Sequence, residues 1–279
     1  MPAKIKTLDL VMDAHVHLYD GYDIRSVLGE AREHLRCLAT TLGLPRPLPV
    51  LGLTERHDHQ VFEALKSGRI PLGPDRQVRP LPESAGLAID FAEGEPGLLV
   101  LAGRQIVTAE RIEVLGLILE HRVPDGLPLN DTVAQVREHG GIPVLSWAPG
   151  KWFGRRGRLV GDLISRAAPG DLILGDTSLR PRGWGEPGLM KAARRRGFRV
   201  VAGSDPLPFP EDARYAGQVA TVYSSVAVDE QRPASTVRDL LLHGTPLRWR
   251  AGIRLSPICV FFRLLKHHKV SGKTALQTN

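Results

Sequence analysis

Short apolar runs alternate with amphipathic stretches along most of the chain, a pattern that is typical of strands connected by helices. Eight such runs predict buried strands, at residues 8–12, 49–54, 98–107, 112–119, 142–147, 171–175, 199–203 and 218–224. A parallel barrel is built from about eight strands, each followed by a helix. The pattern therefore predicts an α/β fold in which the strands close into a single (β/α)7–8 TIM-like barrel.

The amphipathic stretches predict helices between these strands. The clearest covers residues 23–42, where apolar residues recur at helical spacing and Gly43 follows as a helix stop. Shorter helices are predicted at 131–139, 159–167, 187–196 and 233–243. Residues 73–97 are rich in Pro, Gly and Glu, so we expect a long connection there, with one extra strand at 87–91.

The C-terminal end of the chain has a different pattern. Residues 258–268 are apolar and then basic, which is typical either of a helix that closes a barrel or of one that lies on a membrane or a partner. We favour the first interpretation. Residues 266–279 lose apolar periodicity, which predicts a disordered basic tail. We therefore divide the chain into a barrel at 1–255 and a C-terminal helix with its tail at 256–279.

Composition and charge narrow the picture only slightly. A chain of 279 residues with 42% hydrophobic residues can bury one core of barrel size. Cys37 and Cys259 match neither a disulfide framework nor a Cys-x-x-Cys metal site, which indicates a reducing compartment. No long apolar run or signal-peptide pattern occurs, so we expect a cytoplasmic location. The net charge of +7 is compatible with a nucleic acid, an anionic substrate or solvated surface arginines.

Candidate metal ligands follow the first and the seventh predicted strands, where a parallel barrel has its active site. His15 and His17 lie two apart in an extended segment, so both imidazoles can face one metal ion. Asp205 follows the strand at 199–203 as a further ligand or a general base. The alternative, that Asp205 caps a helix, is disfavoured because prolines follow at positions 206, 208 and 210.

A second group of candidates follows the strand at 49–54. Glu55, His57 and His59 supply a carboxylate and two imidazoles, and we assign Glu55 and His57 to catalysis and His59 to metal binding. Asp58 also suits the cap of a following helix, so a structural role for this segment stays open. Asp176, after the strand at 171–175, is either a site residue or the cap of a turn.

A third group is basic and also follows strands. Arginine and lysine side chains beside a metal suit a phosphate or a carboxylate, and nearby tryptophans can wall a cleft. We therefore expect a substrate-binding set that faces the same cleft as His15. The members of this set are Lys151, Trp152, Arg155, Arg156, Asp176 and Arg180. The alternative is that these segments are solvated basic loops.

With these residues assembled, the chain resembles the polymerase-and-histidinol-phosphatase (PHP) superfamily of metal-dependent phosphoesterases over most of residues 9–210. The superfamily has a His-x-His motif, a Thr-Asp-His-type turn, a Gly-x-Glu strand and a Gly-Ser-Asp motif. The matching segments here are Asp13-Ala14-His15-Val16-His17, Thr54-Glu55-Arg56-His57, Gly103-Arg104-Gln105-Ile106 and Gly203-Ser204-Asp205.

The resemblance implies a distorted seven-stranded barrel that holds up to three Mn, Zn or Fe ions. This chain departs from the superfamily at four places: Gln105 replaces the bridging Glu, Glu113 and Trp147-Ala148 stand where histidines are usual, and Pro206 follows the final Asp. We therefore expect one or two divalent ions, with Glu113 and His59 as the further ligands beside His15, His17 and Asp205.

These observations favour a metal-dependent hydrolase that acts on a small anionic, phosphorylated substrate. The first motif also looks like that of the amidohydrolase superfamily, which would imply cleavage of a C–N bond. A third hypothesis is a catalytically degenerate module that binds a metal or an anion. A nucleic-acid partner would need an extended basic stripe, and we favour the small substrate over it.

Overall fold

A computed structural model describes residues 4–91 and 97–277 of the chain, and for residues 269–277 it describes the backbone alone. The strands are β1 (Ile5–Val16), β2 (Pro47–Leu53), β3 (Arg76–Pro80), β4 (Gly86–Phe91), β5 (Leu98–Leu101), β6 (Gly103–Val107), β7 (Glu113–Leu117), β8 (Ile142–Ser146), β9 (Ile173–Thr177), β10 (Val200–Gly203), β11 (Val219–Asp229) and β12 (Arg248–Gly252). The helices are α1 (Ile24–Thr41), α2 (Val61–Lys66), α3 (Leu129–Glu138), α4 (Gly154–Arg166), α5 (Gly188–Arg195), α6 (Pro233–His243) and α7 (Pro257–Gln277), and a 3-10 helix spans Pro210–Tyr215.

The described strands form two sheets. The larger has the order β12-β11-β1-β2-β5-β4-β3 and the smaller has the order β10-β9-β8-β7-β6. The β1-β2-β5 and β8-β9-β10 pairs are parallel, as the alternating pattern predicts. β4, β7 and β11 run antiparallel to their neighbours, which the pattern did not predict. β6 and β7 are joined by a connection too short for a parallel crossover, so they form an antiparallel pair.

The two sheets approach each other without forming one closed barrel in the described part of the chain. β1 lies against β10, and a single bridge between Glu55 and Arg104 links the end of β2 to β6. At the first junction, within the described residues, the two backbones are joined by one hydrogen bond, from the Asp205 amide to the His15 carbonyl at 2.8 Å. The mixed α/β class is therefore confirmed, whereas the single closed barrel is not.

Strand β1 lies at the centre of the core because its two faces are both covered. Val11 packs with Val27 and Leu28 of α1. Leu10 and Met12, on the opposite face, pack with residues of the smaller sheet such as Val144 and Val201. Alternate residues of a strand point to opposite faces, so an uninterrupted apolar run is what a strand covered on both sides requires.

Differences from the sequence-based elements have physical reasons. The run at 98–107 divides into β5 and β6, which belong to different sheets, and a Cβ on Gly103 would meet the Leu53 carbonyl oxygen at 2.2 Å. β3 and β12 were missed because they are largely exposed and lack an apolar alternation.

α7 continues to Gln277, through most of the tail that was predicted to be disordered. No helix among the described residues is long and apolar enough to cross a membrane.

Gly203 allows β10 to approach β1 closely, and this predicts the effect of a methyl group there. A Cβ at Gly203 would lie 2.3 Å from the Cβ and 2.5 Å from the amide nitrogen of His15. We expect Gly203→Ala to lower the free energy of unfolding by about 1 to 3 kcal/mol, as overpacked cores do. Urea unfolding measures this change.

The matched control is Gly188→Ala at the start of α5, where a Cβ would meet no atom within 4 Å. This variant should keep the stability of the unmodified protein. Equal stability of the Gly203 and Gly188 variants would contradict the close approach of β1 and β10.

Candidate metal centre

Three buried side chains meet where β1 and β10 end. The Nε2 atoms of His15 and His17 are 3.1 Å apart. Asp205 Oδ1 lies 3.5 Å from Nε2 of His15 and 3.7 Å from Nε2 of His17. Their exposed fractions are 3%, 3% and 8%. Among the described residues these three form a group of potential ligands close enough to hold one metal ion.

The geometry of this group fits a divalent metal. Donors at about 2.0 to 2.1 Å from one tetrahedral ion lie about 3.3 to 3.4 Å from one another, close to the three distances observed. His15 Nδ1 lies 3.4 Å from the Ser146 hydroxyl, a contact of the kind that orients metal-binding histidines through their second nitrogen. The donor set of two imidazoles and one carboxylate also suits Zn, Mn or Fe.

Burial sets the protonation preferences of these groups. Burial and the neighbouring His15 hold the pKa of the His17 imidazole well below its usual range, so His17 is neutral, as a metal ligand must be. Burial also raises the pKa of the Asp205 carboxyl. A divalent cation beside Asp205 would offset this burial cost by stabilising the carboxylate.

Asp205 is held in a conformation that residues other than glycine rarely adopt, with a φ of 49°. Its amide donates to the His15 carbonyl at 2.8 Å, and the Arg263 guanidinium of α7 donates to its carbonyl at 3.3 Å. Pro206 follows directly and prevents the backbone from continuing as a helix. The local strain is thus maintained by contacts that aim the carboxylate at the two histidines.

Asp13 positions the backbone around the three candidate ligands, a role that the sequence did not reveal. Its buried carboxylate accepts the amides of Ser204 at 2.9 Å, Gly217 at 2.8 Å and His15 at 3.2 Å. Burial raises the pKa of Asp13 to about 6. The sequence signal for Asp13 was its place two residues before His15, in the segment Asp13-Ala14-His15-Val16-His17.

A cleft of about 330 Å³ opens onto two of the three candidate ligands. His17 and Asp205 form part of its floor, Arg56 and Lys151 bring positive charge, and α7 contributes His267. Lys151 Nζ lies 2.7 Å from Glu113 Oε1, so the cation is paired with an acidic residue inside the cleft. The sequence analysis gave Arg56 and His267 no role in the site. His267 was missed because nothing in the local sequence shows that α7 folds over this opening.

The residues after β2 divide between structural and cleft positions. Glu55 is buried, forms an ion pair with Arg104 at 2.8 Å and accepts the amide of Phe62 at 2.7 Å in α2. His57 lines the cleft and lies 3.4 Å from Asp125. His59 bonds to Asp58 at 2.7 Å and lies outside the three-residue ligand group. Glu113 lines the cleft and is likewise outside that group.

The predicted substrate-binding set does not share one cleft. Lys151 lines the cleft with His17. Arg180 is instead buried in a two-point ion pair with Asp176, at 2.7 and 2.6 Å. This pair keeps the Arg180 side chain out of the cleft. Trp152 is buried with its indole donating to the Ser146 carbonyl at 3.1 Å.

Arg155 and Arg156 lie in α4 away from the cleft. Arg155 is exposed, and Arg156 donates to the Gly150 carbonyl at 2.8 Å. Of the three basic residues expected to face one cleft with His15, Lys151 alone lines the cleft, and it does so with His17 and Asp205 rather than with His15. Arg156 is held by the Gly150 carbonyl and Arg180 by Asp176.

Comparison with solved structures identifies proteins of similar fold. PsfC from Pseudomonas syringae PB-5123 is 14% identical over 94% of this chain and 99% of its own, with a TM-score of 0.56. At this identity the likeness concerns the fold. No model of a protein family and no curated protein matches the chain.

Two further solved structures align less closely. A two-domain protein from Bacteroides vulgatus, which contains a predicted PHP-like metal-dependent phosphoesterase, has 14% identity and a TM-score of 0.48 over 87% of this chain and 64% of its own. Endonuclease Q, in complex with a duplex containing an abasic lesion, has 12% identity and a TM-score of 0.46 over 85% of this chain and 56% of its own.

The ligand geometry predicts how histidine substitutions affect metal binding. His15→Ala and His17→Ala should each lower the affinity for Zn or Mn by at least about tenfold, since loss of even an orienting neighbour of a ligand costs that much. Calorimetric titration of metal-free protein, with metal analysis of the purified variants, measures the effect.

The matched control is His139→Ala, which removes an exposed imidazole at the end of α3. Metal affinity should be unchanged in this variant. If the His15 and His17 variants bind metal as tightly as the His139 variant, the three-residue group is not the metal centre.

Proposed function

We propose that this protein is a metal-dependent hydrolase of the PHP superfamily that acts on a small anionic, phosphorylated substrate. The observation that carries the proposal is the meeting of His15, His17 and Asp205 beside a cleft. His17 and Asp205 line this cleft together with Lys151 and Arg56. The motif resemblance supports the same assignment, since two of the three ligands belong to its first motif and the third to its last.

The residues of the site have distinct roles in this proposal. His15, His17 and Asp205 would hold a divalent ion, which supplies Lewis-acid chemistry to a phosphoryl oxygen when bound. Asp205 also stands in the cleft, where its carboxylate can accept a proton from an attacking water. Lys151 and Arg56 provide positive charge for the substrate anion. His57 and Glu113 line the same cleft and can contact the substrate.

The dimensions of the cleft favour a small substrate. Its volume of about 330 Å³ is at the lower end of the range of small-molecule sites. Leu264 and His267 of α7 line it from above, so the helix covers part of the approach to the ligands. A duplex nucleic acid would need an extended open basic surface instead.

The ligand set favours a single ion. Gln105 lines the cleft with a neutral amide where the superfamily has a bridging carboxylate, and the three-residue group offers one place for a metal. A degenerate module that binds metal without catalysis would share this group of ligands. Turnover of an aryl phosphate distinguishes the enzyme from such a module.

Asp205→Asn tests the catalytic role of the carboxylate. Removing the charge should lower hydrolysis of p-nitrophenyl phosphate by at least about 100-fold, the low end of acid–base contributions, while the fold is kept. Steady-state rates, metal content and melting temperature of the same preparation separate catalysis from folding. Asp162→Asn, an exposed position in α4, is the matched control and should keep full activity. Unchanged metal content and unchanged rate in the Asp205 variant would remove Asp205 from the site.

Lys151→Ala tests the anionic nature of the substrate. Loss of a charge-assisted hydrogen bond should raise KM for the aryl phosphate about tenfold or more, because such bonds contribute about 1.5 to 3 kcal/mol. Lys191→Ala in α5, an exposed lysine outside the cleft, should leave KM unchanged. Equal KM values for the two variants would show that Lys151 does not bind the substrate.

A further inference from the structure

Four charged residues form a cluster outside the cleft, which we term the arginine cluster: Asp176, Arg180, Arg250 and Arg254. Asp176 belongs to β9, Arg180 to the loop after it, and Arg250 to β12, while Arg254 follows β12. None of them lines the cleft that contains His17 and Asp205. The cluster joins two segments that are far apart in the sequence but are both next to β10.

The cluster contains more positive than negative charge. Three guanidinium groups face one carboxylate oxygen, Asp176 Oδ2, at 2.6 Å for Arg180, 3.3 Å for Arg254 and 3.6 Å for Arg250. Arg180 takes both carboxylate oxygens in a two-point contact. The formal sum over the cluster is three positive charges and one negative charge, an excess of two.

Arg250 carries the strongest evidence for a missing partner. Its side chain is 6% exposed, and its Nε, Nη1 and Nη2 atoms make no hydrogen bond within the part of the chain whose side chains are described. Arg180 and Arg254, in contrast, also donate to backbone carbonyls. Buried charged groups normally need both an opposite charge and hydrogen bonds, so Arg250 lacks most of what stabilises a buried cation.

Burial has the expected effect on the guanidinium groups. Burial, together with the neighbouring Arg254 and Arg180, lowers the pKa of Arg250 to about 10. Burial also lowers the pKa of Arg254. Asp176 opposes this effect for both residues, with Asp13 adding to it for Arg250 and Glu186 for Arg254. A pKa of about 10 leaves Arg250 protonated at neutral pH, so it stays a buried cation.

We propose that the arginine cluster binds a small, doubly charged oxyanion, an inorganic phosphate ion, between Arg250 and Arg254. Planar guanidinium groups present paired N–H donors that match the oxygen atoms of phosphate. Arg254 is the most exposed of the three arginines, at 22% of its side chain, so the ion reaches the cluster from the Arg254 side. This exposure is small, which favours a free ion over the phosphate group of a larger ligand.

The bound ion stabilises the loop between β9 and α5. Arg180 in this loop contacts Asp176, and the loop also contains Ser178, whose hydroxyl receives a bond from Arg263 of α7 at 3.1 Å. Leu179 of the same loop lines the cleft. The proposal concerns a second site and does not depend on the proposed hydrolase activity.

The test measures thermal unfolding in phosphate against chloride at equal ionic strength. It uses the full chain with His15→Ala and His17→Ala as background, so that the cleft offers no metal-dependent phosphate site. Phosphate at about 100 times its Kd should raise the Tm of this background by at least about 3 °C, because a ligand that binds only the folded state stabilises it. Adding Arg250→Met should abolish the rise, whereas adding Arg195→Met, at an exposed position in α5, should leave it intact.

A parallel titration with phenyl phosphate tests whether the site takes a free phosphate ion or the phosphate group of a larger ligand. We expect phenyl phosphate to raise the Tm less than inorganic phosphate does. An equal or larger rise would overturn the choice of the free ion. No rise with either anion in the background protein, or a rise that survives Arg250→Met, would overturn the site itself. If the Arg250 variant does not fold, Arg254→Met is measured instead, and retention of the rise in that variant has the same meaning.

Discussion

The carboxylate of Asp13 is the interaction on which the candidate site depends. It accepts backbone amides from its own strand, from Ser204 after β10 and from Gly217 before β11. These bonds bring three chain segments to one point at the junction of the two sheets. Gly203 permits the short distance between β10 and β1, since any side chain at this position would overlap with His15. Three hydrogen bonds offset part of the burial cost of this carboxyl group, whose pKa is still raised to about 6.

Loops around the cleft are held by buried pairs of a carboxylate and an arginine. Glu55 binds Arg104 after β2, Asp176 binds Arg180 after β9, and Asp212 binds Arg263. The last pair fixes α7 above the cleft, where Val260 packs with Leu179, Leu207 and Phe209. Removal of one partner from such a pair leaves a buried charge without compensation and costs about 3 to 5 kcal/mol. The walls of the cleft are therefore expected to be rigid, which helps to keep metal ligands at fixed distances.

These pairs also explain why strand-end charges were ambiguous in the sequence. A carboxylate after an apolar run can bind a metal, take part in catalysis or neutralise a nearby arginine, and the local pattern is the same in each case. In the described part of the chain the Asp205 carboxylate lies beside His15 and His17 and pairs with no arginine or lysine, since Arg263 donates to the Asp205 backbone carbonyl instead. Glu55 and Asp176 are each paired with an arginine, although both follow strands in the same way.

The sequence by itself determined the α/β class, the position of most strands and helices, and the pair of histidines. These features depend on local periodicity: an apolar run identifies a buried strand, and residues two apart in an extended segment face the same side. The addition of Asp205 to His15 and His17 was predicted from the general rule that strand ends meet at one edge, and its motif resembled a known pattern. Only the tertiary structure decided the division into two sheets, the role of Asp13, the approach of His267 and the contact of Arg250 with Asp176. Those features depend on contacts between segments that are remote in the chain, and no local pattern specifies which remote partner a buried charge will find.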